Sequence, residues 1–265
     1  MKKNALLFSL SLFVYFQGAG IKIDRVVLAS NTNPMYLDFW PLVAKAWQKM
    51  GVRPTLALIE DKENIEIDES LGDVIRFKPI KGVSPGWMAM VIRVLLPIYF
   101  EEEVSILSDI DILPLNKAYF IDYPKFCSDD SFVVYRDKVY GRSKRVSMCY
   151  NAAKGKTFKE IFKINSLDDI PALIQKWAKE YRQRFSADEF ILTKYLYAWS
   201  GYEKRCVRLK DKINSKTRID RSHWVYDPNL LKKGDFYIDS HMVRPYRKHK
   251  DKIDKLAKCI GIEMP

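Results

Sequence analysis

The segment ILSDIDILPLN, residues 106–116, contains the most informative pattern in this 265-residue sequence. An apolar run ends at Ser108, two aspartates follow one residue apart, and apolar residues then return. Because side chains on extended backbone repeat every two residues, Asp109 and Asp111 point the same way. Polar residues at the carboxyl end of a buried strand typically line a ligand crevice in α/β domains. The segment therefore predicts a strand that delivers two carboxylates to a site.

The chain before this segment alternates short apolar runs with helical patterns. Apolar, β-branched runs predict four strands, and apolar residues at helical spacing predict two helices between them. These strands cover 21–30, 53–61, 73–80 and 103–109, and the helices cover 34–51 and 84–100. This order is typical of an α/β domain whose mostly parallel central sheet carries helices on both faces. We therefore predict a single Rossmann-like domain.

The chain after the two aspartates continues this α/β pattern less regularly. Serines before residues 167 and 187 predict helix N-caps, because a serine side chain can accept a bond from the first turn. The predicted helices cover 166–181 and 186–199, and the predicted strands cover 131–137, 145–152 and part of 234–246. The C-terminal part is basic and is expected to be irregular.

Residues 1–20 form a separate leader in this prediction. They contain two lysines, an apolar stretch from Ala5 to Phe16 and small residues, which is the layout of a secretory signal. The letters YFQG at 15–18 also match the core of a common protease-cleavage tag. We take residues 1–20 as signal-like or tag-derived and 21–265 as the domain. The expected location is cytoplasmic, or secretory or membrane-anchored if the leader is a genuine signal.

The composition favours a packed domain that attracts anions. Apolar residues make up 48% of the chain, which excludes a disordered protein, and the net charge is +12. Most of the basic surplus follows Gly201, and such a surplus suits phosphate esters or an anionic membrane surface. No zinc-finger spacing or RNA-binding aromatic string is present, so we expect no nucleic-acid partner. A non-enzymatic binder of nucleic acid or anionic surfaces remains an alternative.

The four cysteines show no C-x-x-C pair and are expected to be reduced.

Two neighbouring carboxylates repel each other unless a proton or a cation joins them. Asp109 and Asp111 therefore predict a site for Mn²⁺ or Mg²⁺, ions that accept oxygen ligands and leave positions for phosphate oxygens. An EF-hand loop is excluded because apolar residues occupy its ligand positions. A phosphatase of the haloacid dehalogenase type remains an alternative, although Leu113 replaces its usual Thr or Val. Two solvated acids at a strand end are the simple structural alternative.

With its flanking segments, the motif SDID resembles the D-x-D motif of GT-A glycosyltransferases. The wider pattern resembles the small glycosyltransferase domains of large DNA viruses, chloroviruses among them. The matching segments span most of residues 21–250 and are NPMYLDFWPLVAKAWQKMGVRPTLALI, RVLLPIYF, SILSDIDILPL, MCYNAAKGKTFKEIF, SADEFILTKYL and YIDSHMVRPY. The resemblance implies a GT-A fold and metal-dependent transfer of a hexosyl or deoxyhexosyl group. The implied donor is a nucleotide-diphosphate sugar, with UDP expected, and the implied acceptor is a glycan, glycoprotein or other hydroxyl compound. A viral enzyme of this kind would act in the host cytoplasm.

The resemblance assigns the D-x-D to Asp109 and Asp111, both metal ligands, with Asp109 also expected to contact the nucleotide sugar. His241, in a late strand, is expected as a further metal ligand. Arg93 is the lone charge in an apolar helix, and a donor phosphate would give it the partner that a buried arginine needs. Arg244 is a second phosphate candidate.

Asn31 and Asp61 follow predicted strands and are candidates for contacts with the base and ribose, although turns also favour these residues. Asp188 and Glu189 begin a predicted helix, where acids also complement the helix dipole. One of them is expected to act on the sugar, as a base in an inverting enzyme or as a stabilising or trapping group in a retaining one. Asn151 is expected to reach the sugar.

Overall fold

The computed structural model of the chain describes residues 20–62 and 65–264. The strands of this part are β1 (Arg25–Asn31), β2 (Arg53–Ile59), β3 (Asp73–Phe77), β4 (Val104–Leu107), β5 (Ile112–Pro114), β6 (Phe132–Asp137), β7 (Asn151–Lys154), β8 (Cys206–Lys210), β9 (Arg218–Ile219) and β10 (Asp239–His241). Seven of them form the main sheet in the order β3-β2-β1-β4-β7-β6-β8. Strands β1 to β4 are parallel to one another, whereas β7 is antiparallel to β4 and β6. The expected mostly parallel sheet is confirmed.

The helices of the described part cover both faces of the main sheet, as predicted. They are α1 (Pro34–Leu37), α2 (Trp40–Lys49), α3 (Pro85–Ile92), α4 (Gly155–Phe162), α5 (Ile170–Glu180), α6 (Ala187–Tyr197), α7 (Tyr202–Arg205), α8 (Pro228–Lys233) and α9 (Lys250–Cys259). Residues of α2 and α9 belong to one apolar core, and residues of α3, α4, α5 and α6 belong to the other. Strand β2 is buried along six consecutive residues, which explains why it reads as a continuous apolar run.

A small second sheet joins the middle of the chain to its last quarter. Its order is β5-β10-β9, with β10 antiparallel to β5 and parallel to β9. The register places His241 opposite Ile112, the residue that follows the second aspartate of the D-x-D. This sheet carries a late segment of the sequence to the end of β4.

Two predicted helices are shorter than their apolar patterns, and proline explains both. The pattern over 34–51 divides into α1 and α2, and Pro41 stands in the first turn of α2. The pattern over 84–100 ends as α-helix at Ile92, and a 3₁₀ segment with Pro97 in its first turn follows. Proline has no backbone N–H to donate and disfavours helical backbone before it, so each helix restarts there.

Two further expectations are corrected. The strand predicted over 145–152 begins only at Asn151, because the amides of Val146 and Met148 donate to the side chains of Thr193 and Glu189. Residue 166 caps its helix as expected. Residue 186 does not cap α6: its φ is +62° and its side chain makes no capping bond.

The predicted leader lies outside the described residues except for Gly20, which forms an isolated β-bridge with Ser128. None of the helices in the described part has both the length and the apolar composition needed to cross a bilayer. The four cysteines are free thiols.

Candidate active site

Asn31 and Asp61 lie together where β1 and β2 end. The Asn31 side-chain amide donates to Asp61 at 3.2 Å, and the Thr32 backbone N–H donates to the other carboxylate oxygen at 3.1 Å. The Thr32 hydroxyl donates to that oxygen as well. Burial raises the pKa of Asp61, but these hydrogen bonds outweigh it and leave the pKa below its ordinary value. The two predicted base and ribose candidates are therefore hydrogen-bonded to each other, and the low pKa keeps Asp61 ionised.

Arg93 connects the first aspartate of the D-x-D to α6. Its guanidinium donates one hydrogen bond to Asp109 and another to Asp188. The side chains of Arg93 and Asp188 are only 12% and 2% exposed, so this is a buried ion-pair triad. Two carboxylates of the chain therefore pair with the arginine that was expected to contact a donor phosphate, while its Nε atom has no hydrogen-bond partner among the described residues.

The pKa values of the two carboxyl groups in the triad are shifted in opposite directions. Burial raises the pKa of Asp109, but the charge of Arg93 outweighs burial and the pKa falls below its ordinary value. Burial raises the pKa of Asp188 above its ordinary value despite the same arginine. Burial lowers the pKa of Arg93, but its two anionic partners outweigh burial and raise that pKa, so Arg93 remains charged.

Asp111, the second aspartate, faces the residues carried in by the small sheet. Its backbone carbonyl accepts a hydrogen bond from Met242 at 2.9 Å, which fixes β10 beside the D-x-D segment. Three basic groups approach its Oδ2 atom: Arg221 at 3.1 Å, Arg244 at 3.5 Å and His241 Nε2 at 3.7 Å. The structure therefore brings Asp111, His241 and Arg244 together, and adds Arg221.

Arg221 was not singled out in the sequence. It lies in the polar run DRSHWVY, residues 220–226, where no periodicity or motif distinguishes it from other basic residues. Only the pairing of β9 with β10 places it beside Asp111.

Glu189 is held by a neighbouring loop. It accepts hydrogen bonds from the Tyr140 hydroxyl and, at 3.2 Å, from the Met148 amide, and Arg145 lies 3.3 Å from its other oxygen. Burial raises the pKa of Glu189 despite these partners. Burial and the bond to Glu189 raise the pKa of Tyr140 to about 12. Glu189 therefore fastens the 140–148 loop to α6.

Asn151 is fully buried at the start of β7, behind the same loop. Its side-chain amide donates to the carbonyls of Ser147 at 2.8 Å and Met148 at 2.6 Å. Its Oδ1 atom has no hydrogen-bond partner among the described residues. An unpartnered buried carbonyl is costly, so a donor group that reached this oxygen would relieve that cost.

Of the predicted metal ligands, Asp111 and His241 face each other, whereas Asp109 is paired with Arg93. Within the described residues, no group of three or more His, Cys, Asp or Glu side chains is arranged to hold a metal ion. The imidazole nevertheless lies between two carboxylates, with Nε2 3.7 Å from Asp111 and Nδ1 3.7 Å from Asp220. Metal-binding histidines commonly direct their second ring nitrogen to a carboxylate in this way. The donor set suits two protein ligands in a site completed by phosphate oxygens.

No protein-family model and no curated protein matches the chain. Among solved structures, the apo-form glycosyltransferase GlyE of Streptococcus pneumoniae TIGR4 has a TM-score of 0.50 at 12% identity. The likeness covers 90% of this chain and 62% of that one. The chain has the GT-A glycosyltransferase fold.

Two other solved structures are similar at low identity. The galactosyltransferase LgtC, in complex with donor and acceptor sugar analogues, has a TM-score of 0.49 at 16% identity, covering 91% of this chain and 97% of that one. A glycosyltransferase involved in glycosylation of the major capsid of PBCV-1 has a TM-score of 0.46 at 13% identity, covering 86% and 98%. These identities are too low to transfer residue roles, which are argued from the geometry of this chain.

Proposed function

We propose that the chain is a metal-dependent glycosyltransferase that uses a nucleotide-diphosphate sugar, UDP-linked, and transfers its hexosyl or deoxyhexosyl group to a glycan, glycoprotein or other hydroxyl acceptor. One observation carries the proposal: the pairing of β10 with β5 and with β9 gathers Asp111, His241, Arg221 and Arg244 at the end of the D-x-D strand. An oxygen ligand, a nitrogen ligand and two guanidinium groups match the needs of a cation-bound diphosphate.

Asp111 and His241 would hold Mn²⁺ or Mg²⁺, with Asp109 as a third candidate if it exchanges Arg93 for the cation. A bound ion would neutralise the charge that develops on the departing diphosphate. The guanidinium of Arg244 would donate to phosphate oxygens from the same side. Asn31 and Asp61 would contact the base and ribose at the ends of the neighbouring strands.

Asp188 and Glu189 serve different purposes in this proposal. Asp188 is turned toward Arg93 and Asp109, so its carboxylate would lie near the sugar and stabilise an oxocarbenium-like transition state. Glu189 is occupied by the 140–148 loop and would act by shaping the site rather than by attacking the sugar. Asn151 would support the same loop and offer its free Oδ1 to a sugar hydroxyl. No feature of the described residues favours the phosphatase or binder alternatives.

The decisive test is Asp111→Asn, which keeps the shape of the side chain and removes its charge. We expect this variant to lose the Mn²⁺-dependent part of UDP-sugar binding and turnover while it remains folded. A thermal-shift screen of nucleotide sugars with and without Mn²⁺ measures binding, because a ligand raises the melting temperature by mass action. Asp122→Asn is a matched control, since Asp122 is 52% exposed and pairs with Lys125 at the surface. Turnover by Asp111→Asn equal to that of the wild type would contradict the proposal.

A further inference from the structure

Arg221 is hydrogen-bonded to Asp111, the carboxylate that would bind the cation in the proposed function. Its guanidinium donates to Asp111 Oδ2 at 3.1 Å, the shortest of the contacts that basic groups make with that atom. Arg244 and His241 approach the same oxygen at 3.5 and 3.7 Å. A cation that approaches Asp111 alone therefore meets two guanidinium groups, and like charges at such distances repel it.

The contact of Arg221 is suited to exchange. Its side chain is 31% exposed, whereas that of Arg218, three residues earlier, is 15% exposed. Arg218 makes two hydrogen bonds to Asp239, a fully buried carboxylate, and is fixed in the small sheet. Arg221 thus keeps donors that can turn to an incoming anion, while Arg218 does not.

Two guanidinium groups share the one carboxylate of Asp111. Arg221 and Arg244 approach its Oδ2 atom, and Asp220 lies on the far side of the imidazole, 3.7 Å from Nδ1. A diphosphate offers further anionic oxygens, and a guanidinium binds phosphate oxygens with paired hydrogen bonds. When phosphate oxygens accept the N–H groups of Arg221, Asp111 Oδ2 becomes free for the cation.

We propose that Arg221 binds the donor diphosphate and blocks Asp111 until that diphosphate arrives, so that the cation binds well only together with the donor. This inference rests on the proposed function. It adds Arg221 to the donor site and couples cation binding to donor binding. Binding energies are reciprocal, so the diphosphate raises the affinity for the cation by the factor that the cation raises the affinity for the diphosphate. Arg221 sets the size of that factor.

The test compares the wild type with Arg221→Gln, using Mn²⁺ alone and UDP as probes. Electron paramagnetic resonance of free Mn²⁺ measures the first affinity, and calorimetry at saturating Mn²⁺ measures the second. Because a part-exposed ion pair is removed, we expect Mn²⁺ alone to bind about fivefold more tightly. Because a charged phosphate contact is lost, we expect UDP to bind about tenfold more weakly. Opposite changes from one substitution are not expected of a residue that only supports the fold.

Two further variants act as controls. Arg53→Gln removes the same charge at the exposed first residue of β2. This residue lies at the amino end of its strand, whereas Asp111 follows the carboxyl end of β4, so both affinities should stay unchanged. Arg221→Lys keeps the charge and should restore the weak binding of Mn²⁺ alone. An Arg221→Gln variant whose affinity for Mn²⁺ alone is unchanged or lower, or whose UDP affinity is unchanged, overturns the role of Arg221. A wild-type chain that binds neither Mn²⁺ nor UDP overturns the proposed function and this inference together.

Discussion

Replacement of Arg93 by methionine tests the buried triad most directly. The substitution removes the guanidinium that both Asp109 and Asp188 accept from, and keeps an unbranched side chain of similar length. Removal of one partner of a buried ion pair costs about 3–5 kcal/mol, because the other charge is left without compensation. Asp109 is 29% exposed and gains solvation, whereas Asp188 is 2% exposed and does not, so we expect about 3 kcal/mol.

The destabilisation caused by Arg93→Met should decrease as the pH falls. Burial already raises the pKa of Asp188, and without Arg93 that pKa rises further. A carboxyl group with a raised pKa binds its proton more strongly in the folded state, so its protonation increases the free energy of unfolding at lower pH. We therefore expect the gap between wild type and Arg93→Met to narrow by about 1 kcal/mol per pH unit while Asp188 titrates.

Thermal and urea unfolding between pH 7 and pH 5 measure this gap. A loss of about 3 kcal/mol corresponds to a melting temperature about 6–12 °C lower for a domain of this size. Arg25→Met is a control, since the Arg25 side chain is only 1% exposed but its partners Asp73 and Glu103 are 44% and 39% exposed. Arg25→Met should lower the free energy of unfolding by an amount that does not change between pH 7 and pH 5. A gap for Arg93→Met that stays constant from pH 7 to pH 5 would refute the reasoning.

The remaining predictions concern other parts of the molecule. His241→Ala should weaken Mn²⁺ binding in the presence of UDP several-fold without unfolding the chain, and equal affinity in a titration would remove the imidazole from the cation site. Glu189→Gln should stay folded but loosen the 140–148 loop, since a neutral amide is a weaker acceptor, and faster hydrogen exchange of that loop would show it. Gly155→Ala should cost about 2–4 kcal/mol in urea unfolding, because a Cβ there would lie 2.2 Å from a backbone carbonyl oxygen. Gly86→Ala is its control, because its Cβ would meet nothing within 4 Å, and an equal loss would contradict the steric account.

The parallel half of the sheet was predictable because its signals are local. Strands β1, β2 and β4 are buried along nearly their whole length, and burial on both faces gives uninterrupted apolar runs. Asp109 and Asp111 interrupt the apolar run of β4 and so indicate where that strand ends. The small sheet gave no such signal, because strands of two or three residues are too short to show a period of two.

The contacts within the site were less predictable than its members. Arg93 and Asp188 are separated by 95 residues, and no local pattern states that one satisfies the other. The segment 146–150 has the composition of a strand, but side chains of α6 accept its amides in place of a neighbouring strand. In this segment, hydrogen bonds to α6 therefore outweigh the local preference for a strand.

The small sheet also determines when during synthesis the site can exist. Asp111 and Arg221 are 110 residues apart, and β9 and β10 follow the whole parallel half of the main sheet. At ribosomal speeds of about 5–20 residues per second, about 5 to 20 seconds pass between the two residues. During that interval strands β1 to β4 can already pair, while the nascent chain still lacks every basic group that faces Asp111. The cluster of basic groups around Asp111 is therefore assembled only after the parallel half of the main sheet has been synthesised.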